Sequence, residues 1–239
     1  PQSEEIVKAT AGVVAEHAEQ ITSVFYPDMF AAHPELMRVF NKANQAIGEQ
    51  PKALAASVVA YAVNLIDPDA PDFGPVMERI AHKHVSLGIQ AQEYTIVGRY
   101  LMGAVGKVLG DAVTPEVAAA WDEVYWLFGT SLIAEEAKLY ALGGVAPDQP
   151  WRKFVVSERT DETADVFSLS LKPVEGDLPS HRTGQYVAIG VDLPNGERQP
   201  RQYTISNGAG ADSYQVTIRR VRGVGGAPDG QVSTWLSEN

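Results

Sequence analysis

Apolar residues recur every three or four positions up to about residue 145 and every second position beyond it, so the chain is expected to be helical first and stranded second. A first segment from about Ser3 to Ala31 places Ile6, Thr10, Val13, His17, Ile21 and Phe25 on one stripe, with breaks expected at Pro27 and at His33-Pro34. Phe40 to Gln45 reads as a turn. Pro51 suits the first position of a helix with Leu54, Val58, Tyr61 and Leu65 on one face. Asp67–Pro75, DPDAPDFGP, cannot be helix interior. It is followed by VMERIAHKHVSLGI, Val76 to Ile89, in which Val76, Met77, Ile80, His84 and Leu87 share one face. A helix from about Gln92 to Leu109 carries Tyr94, Val97, Leu101 and Val105. A longer one runs from Pro115 to Leu142, capped by Thr114 and ended by Gly143-Gly144. The pattern predicts an all-α domain over 1–144.

Residues 145–151, with two prolines, read as a linker. The remainder, 152–239, carries strand patterns at Lys153–Ser157, Asp165–Leu171, Gln185–Val191, Arg201–Ser206 and Ser213–Val221, punctuated by Pro194-Asn195-Gly196 and Asn207-Gly208. Short antiparallel strands without intervening helices predict a β-barrel. The glycine-rich stretch Gly223 to Gly230 leads into a helix start at Gln231–Leu236, where free backbone amides could meet an anion.

Composition narrows the choice of chemistry. A formal charge of -11 argues against a nucleic-acid or anionic-membrane partner, since a phosphate surface needs a basic face. With no cysteine, disulfides, thiolate metal sites and iron–sulfur clusters are excluded, and a metal would need His or carboxylate. No apolar run approaches the roughly 20 residues of a membrane span. The opening PQSEEIVKAT lacks the basic and apolar pattern of a secretory signal, so a cytoplasmic location is expected.

His84 is the residue around which candidate chemistry gathers. It faces inward, whereas His82 points the other way, one turn above Glu78. An inward histidine is either a hydrogen-bonded core residue or a ligand. Upstream stand Tyr26 after Phe25, Phe40 at the turn, and Gln50 and Leu54 on the next helix, an arrangement able to enclose a planar cofactor against His84. On the last long helix Trp121, Tyr125, Phe128, Leu132 and Leu139 form an apolar stripe. Glu136 lies on that stripe with Glu135 beside it, and spacing alone does not separate the two. A charge there needs a buried partner. In the stranded part, Arg201 and Tyr203 alternate with Gln202 and so share a face.

FYPDMFAAHPELMRVFN, the NQ and EQ pairs before an apolar helix, AHKH, EYTIVGRYL, WDEVYWLF and AEEAKLY, in this order, resemble the globin domain of the flavohaemoglobins. The resemblance implies a globin fold with haem b, His84 as proximal iron ligand, Tyr26 and Gln50 facing bound oxygen, Phe40 on the porphyrin and Leu54 closing the distal pocket. It further implies that Tyr94 and Glu136 hold the proximal histidine and that Lys83 lies near a haem propionate or the flavin edge. Arg201-Gln202-Tyr203-Thr204 resembles the RxY[ST] motif of ferredoxin-reductase-type FAD domains. Gly184-Gln185-Tyr186 resembles that family's GQY strand, and Gly230-Gln231-Val232-Ser233 its GQVS phosphate-binding helix start. The family places closing strands after that helix, so the barrel is expected to be incomplete and to leave an unpaired edge. The resemblance implies nitric oxide dioxygenation, with nitric oxide and oxygen giving nitrate. Electrons would pass from NADH or NADPH through FAD to haem, the nicotinamide entering through a third domain that this sequence does not contain. Other functions consistent with the same features are an oxygen- or redox-sensing haem module and a globin that takes a lipid in its distal pocket.

Overall fold

The computed structural model describes residues 2–40 and 49–239. They form two compact units, the first made of residues 1–85 and 89–148 and the second of 86–88 and 149–239. The first unit contains α1 (Gln2–Glu16), α2 (Ala18–Ala32), a 3-10 turn (Pro34–Val39), α3 (Glu49–Ile66), α4 (Gly74–Leu87), α5 (Glu93–Leu109) and α6 (Pro115–Leu142). Its core gathers Val7, Phe25, Met29, Tyr61, Ala81, Leu101, Trp121, Phe128 and Leu132. Among the described residues, no helix is long and apolar enough to cross a membrane.

The opening helical segment differs from the expected one. It breaks at His17, where the backbone leaves the helix (φ -96°, ψ 9°), and Pro27 sits inside α2. Pro27 lies on the exposed face, so the carbonyl it leaves unpaired can be hydrated. The break also resets the phase of the buried stripe. In α1 that stripe is Val7, Ala11 and Val14 rather than Ile6, Thr10 and Val13, and Val13 is 43% exposed. Thr10 instead accepts a hydrogen bond from the Trp121 indole at 2.9 Å. At the end of α3, Leu65 is likewise exposed and Ala62 takes its place in the core. The expected turn through Gln45 lies, beyond Phe40, outside the described residues. α6 has the expected bounds because both ends are set locally. Thr114 Oγ1 accepts from the Val117 amide at 3.3 Å, and Pro115 has no amide to leave unpaired.

α5 and α6 cross closely. A Cβ on Gly98 of α5 would lie 2.4 Å from the Tyr125 ring of α6, and one on Gly129 would lie 3.3 Å from the Tyr94 ring. Two bare backbones therefore let two phenol rings lie flat between the helices.

The second unit is built from β1 (Phe154–Asp161), β2 (Val166–Pro173), β3 (Tyr186–Asp192), β4 (Arg198–Thr204), β5 (Tyr214–Arg219) and α7 (Gln231–Glu238). The strands are antiparallel, in a three-stranded sheet of order β1-β2-β5 and a β3-β4 ribbon, linked by the single bridge Ile205–Val216. No closed barrel forms among the described residues, in line with the incompleteness expected from the sequence. Its core comprises Phe167, Leu169, Val191, Ile205, Val216, Ile218, Val232 and Leu236.

The helix crossing makes an opposed pair of expectations for two glycines of α5. Gly98→Ala should overpack Tyr125 and cost about 1–3 kcal/mol in urea unfolding. Gly103→Ala, with nothing within 4 Å of the added carbon, should stabilise by about 0.5–1 kcal/mol through helix propensity.

Candidate functional site

α4 is brought to an end by Gly88 at φ 74°, and His84 lies in its last turn, half-buried beside the fully buried Ala81. Its Nδ1 is 2.8 Å from Glu136 Oε1 and 2.9 Å from the Tyr94 hydroxyl. The Tyr94 hydroxyl in turn donates to the same Glu136 oxygen at 2.6 Å. Since a carboxylate only accepts, the imidazole proton sits on Nδ1 and is shared between the Glu136 and Tyr94 oxygens. Nε2 then keeps its lone pair, and it has no hydrogen-bond partner among the described residues. The tautomer follows from these contacts.

The sequence left Glu135 and Glu136 open on spacing, and their surroundings are different. Glu136 is 3% exposed on the buried face of α6, whereas Glu135 pairs with Lys138 at 2.9 Å on the outside. Tyr94, second residue of α5, is held at its other end too, because its carbonyl accepts from the Tyr125 hydroxyl. Burial, reinforced by the Glu136 charge, drives the Tyr94 phenol far above its ordinary range. Burial raises Tyr125 as well. Tyr140, whose hydroxyl donates to the Ile89 carbonyl at 2.8 Å, is pushed up to about 12 by burial and by the charges of Glu136 and Glu93.

Around Tyr26 the structure collects aromatic rings. Tyr26 is buried, and its ring centroid lies 4.6 Å from that of Phe25, 5.8 Å from that of Phe30 and 5.7 Å from that of Phe40. Leu54 packs half-buried against the same core. The Gln50 side chain lies outside the described residues. His82 points outward, 3.8 Å from Glu78, and Lys83 lies on the exposed face beside His84.

No cluster of three or more metal-ligating side chains occurs among the described residues. One imidazole with a fixed tautomer suits a macrocycle that already supplies the equatorial donors.

In the second unit the predicted residues are divided between two faces. Pairing of Val187 with Tyr203 and of Ile189 with Arg201 puts these four on one face of the β3-β4 ribbon. Tyr186 pairs with Thr204, and Ala188 with Gln202, on the other. The fully buried Gln199 continues the Arg201 face. Arg201 is half-buried and uses only Nη1, toward the Pro200 carbonyl at 2.7 Å and Gln199 at 3.4 Å. Its Nε and Nη2 make no hydrogen bond among the described residues. Burial lowers the Arg201 pKa and raises that of Tyr203. A half-buried guanidinium with unused donors suits an anionic group. At the start of α7, Val232 is in the core and Gln231 is exposed. The Ser233 hydroxyl serves the fold, accepting from the Val221 amide at 3.0 Å and donating to the Gly230 carbonyl at 3.2 Å. An anion at that turn would meet backbone amides rather than the Ser233 side chain.

Residues 23–132 match the globin family model. The flavohemoprotein of Deinococcus radiodurans is 43% identical over 240 residues, covering 99% of this chain and 58% of the relative. That of Halalkalibacterium halodurans is 41% identical over 242 residues. Among solved structures, the flavohemoglobin of Malassezia yamatoensis, which has bound FAD and heme, shares 34% identity at a TM-score of 0.87, over all of this chain and 61% of its own. A bacterial globin from Campylobacter jejuni shares 31% identity at a TM-score of 0.54 and is matched over 97% of its length. The chain belongs to the globin family, and over its whole length it is similar to the flavohaemoglobins. The chain thus spans about three-fifths of the curated flavohemoproteins it matches.

Tyr140 and the pair Arg38–Glu93 went unnoticed in the sequence. Tyr140 follows Glu136 by four residues on the buried face of α6, so its spacing was a usable signal. Arg38 and Glu93 are 55 positions apart and carry none.

Tyr94→Phe leaves buried Glu136 without one donor and should cost about 1–3 kcal/mol in urea unfolding, while Glu135→Gln should change stability by less than ~0.5 kcal/mol. A phenol whose folded pKa is raised stabilises fully below the unfolded value and loses that contribution as pH rises toward the folded one. Stability should therefore fall between about pH 10 and 12. Tyr140→Phe should flatten that fall in urea unfolding followed by circular dichroism.

Proposed function

We propose that this chain holds haem b at His84 and FAD on its β unit, and that its activity is nitric oxide dioxygenation, with oxygen and nitric oxide as small-molecule ligands. The single observation that carries this reading is the buried Glu136–Tyr94–His84 triad, which leaves Nε2 available to iron. The haem supplies the iron at which oxygen and nitric oxide combine to nitrate, and the flavin supplies the electrons that restore its reduced state.

Glu136 withdraws the Nδ1 proton toward itself and makes the imidazole a stronger electron donor, which favours O–O chemistry over reversible storage. Tyr94 holds the carboxylate in line. Tyr26 lends its hydroxyl to the oxygen-binding side together with Gln50, and Phe40 and Leu54 exclude water there. Lys83 would offer its cation to a haem propionate or to the flavin edge. In the β unit, Arg201 takes the pyrophosphate, Tyr203 stacks on the flavin ring, and Gln231, Val232 and Ser233 present amides to phosphate. By resemblance alone, Gln202, Thr204 and Tyr186 are assigned to the same flavin site. NADH or NADPH is the proposed electron source, and domain limits of 1–144, 145–151 and 152–239 accompany this assignment.

The test is nitric oxide consumption by the haem-loaded chain with a chemical reductant. Sustained formation of one nitrate per nitric oxide, abolished by His84→Ala and slowed by Glu136→Gln with haem still bound, is the expected result. Haem binding without turnover would favour a sensing role. Uptake of a fatty acid in place of oxygen would favour a lipid-binding one.

A further inference from the structure

An ion pair ties the aromatic turn to the start of α5. Arg38, in the 3-10 turn two residues before Phe40, places Nη2 2.7 Å from Glu93 Oε1. Glu93 is the first residue of α5 and the immediate neighbour of Tyr94. Its second oxygen, Oε2, accepts the Gln90 amide at 3.0 Å and so closes the turn that starts the helix. The Glu93 side chain is 10% exposed and that of Arg38 42%. Both carboxylate oxygens are therefore committed. One defines the helix start, and the other is neutralised by a cation from a distant segment.

We propose that Arg38 and Glu93 are a positioning pair for His84, holding the first turn of α5 where the Tyr94 hydroxyl meets both Glu136 and His84 Nδ1. The geometry stands by itself, and its catalytic consequence rests on the reading of His84 as the haem ligand. A carboxylate buried this deeply is stable only with its counter-charge. Without Arg38, Glu93 turns toward water, the Gln90 amide loses its acceptor, and the first turn of α5 frays. Tyr94 is the second residue of that turn and moves with it. The imidazole proton then loses one of its two acceptors, and its tautomer is less firmly set. The same pair also anchors the 3-10 turn that delivers Phe40 to Tyr26, so both flanks of the site share one electrostatic clasp.

A cross-link that served only folding would lower the melting temperature and leave the imidazole untouched, which allows the two roles to be separated. In the 15N-labelled full chain, His84 is assigned in the histidine ring spectrum by its loss in His84→Gln. The wild-type ring should be the Nδ1–H tautomer with a slowly exchanging proton. Arg38→Met, which keeps the apolar stem, should speed that exchange and populate the second tautomer, in the same direction as Tyr94→Phe. Arg38→Lys should restore the wild-type signature. An Arg38→Met protein that melts earlier but shows the wild-type ring signature overturns the proposal, as does an Arg38→Lys protein no closer to wild type than Arg38→Met. Haem titration of the wild-type chain runs in parallel. Absence of a His84-dependent Soret band there counts against the proposed function alone, and the ring spectra still decide the pair.

Discussion

Glu136 is a carboxylate with 3% of its surface exposed, on the inner face of the longest described helix, and a charge in that position costs several kcal/mol unless polar partners replace the lost water. Its partners are the Tyr94 hydroxyl and His84 Nδ1, at 2.6 and 2.8 Å. Much of the helical unit can be understood as what is needed to bring these three together. Gly98 and Gly129 allow α5 and α6 to approach until the rings of Tyr125 and Tyr94 fit between them. Tyr125 fixes the Tyr94 backbone. Gly88 stops α4 one turn after His84. The same contacts that satisfy the buried charge decide which imidazole nitrogen carries the proton, so stability and chemistry share one set of hydrogen bonds.

The β unit solves a different problem. A two-stranded ribbon offers both faces of each strand, and β3 and β4 use them for opposite ends. One face carries Tyr203, Val187 and Ile189 against the core with Arg201 and buried Gln199, while the other presents Tyr186, Gln202 and Thr204. Arg201 keeps its Nε and Nη2 unused among the described residues. α7 is stitched back to the chain after β5 through Gly230 and Ser233, which fixes where its first amides lie.

What could be read in advance was what is local. Thr114, Pro115 and Gly143 marked the ends of α6 because caps act over a few residues, and the alternation of Arg201 with Tyr203 already put them on one face. The helix break was misplaced because Pro27 is the strongest nearby breaker in sequence terms. Its tolerance depends on facing water, a tertiary property. His17, where the helix does break, has no comparable signal. Spacing could not choose between Glu135 and Glu136; burial against α4 and α5 does. The placement of Tyr186 on the face away from Tyr203 depends on register between strands, and the Arg38–Glu93 pair on contact across 55 residues. Neither leaves a periodic trace.

The most direct test is resonance Raman spectroscopy of the ferrous haem-loaded chain. An iron–histidine stretching band that disappears in His84→Ala and falls in frequency in Glu136→Gln is the predicted result, since weakening the Nδ1 hydrogen bond weakens the donor. The absence of a His84-dependent band, or the same frequency with Gln at position 136, would contradict the account.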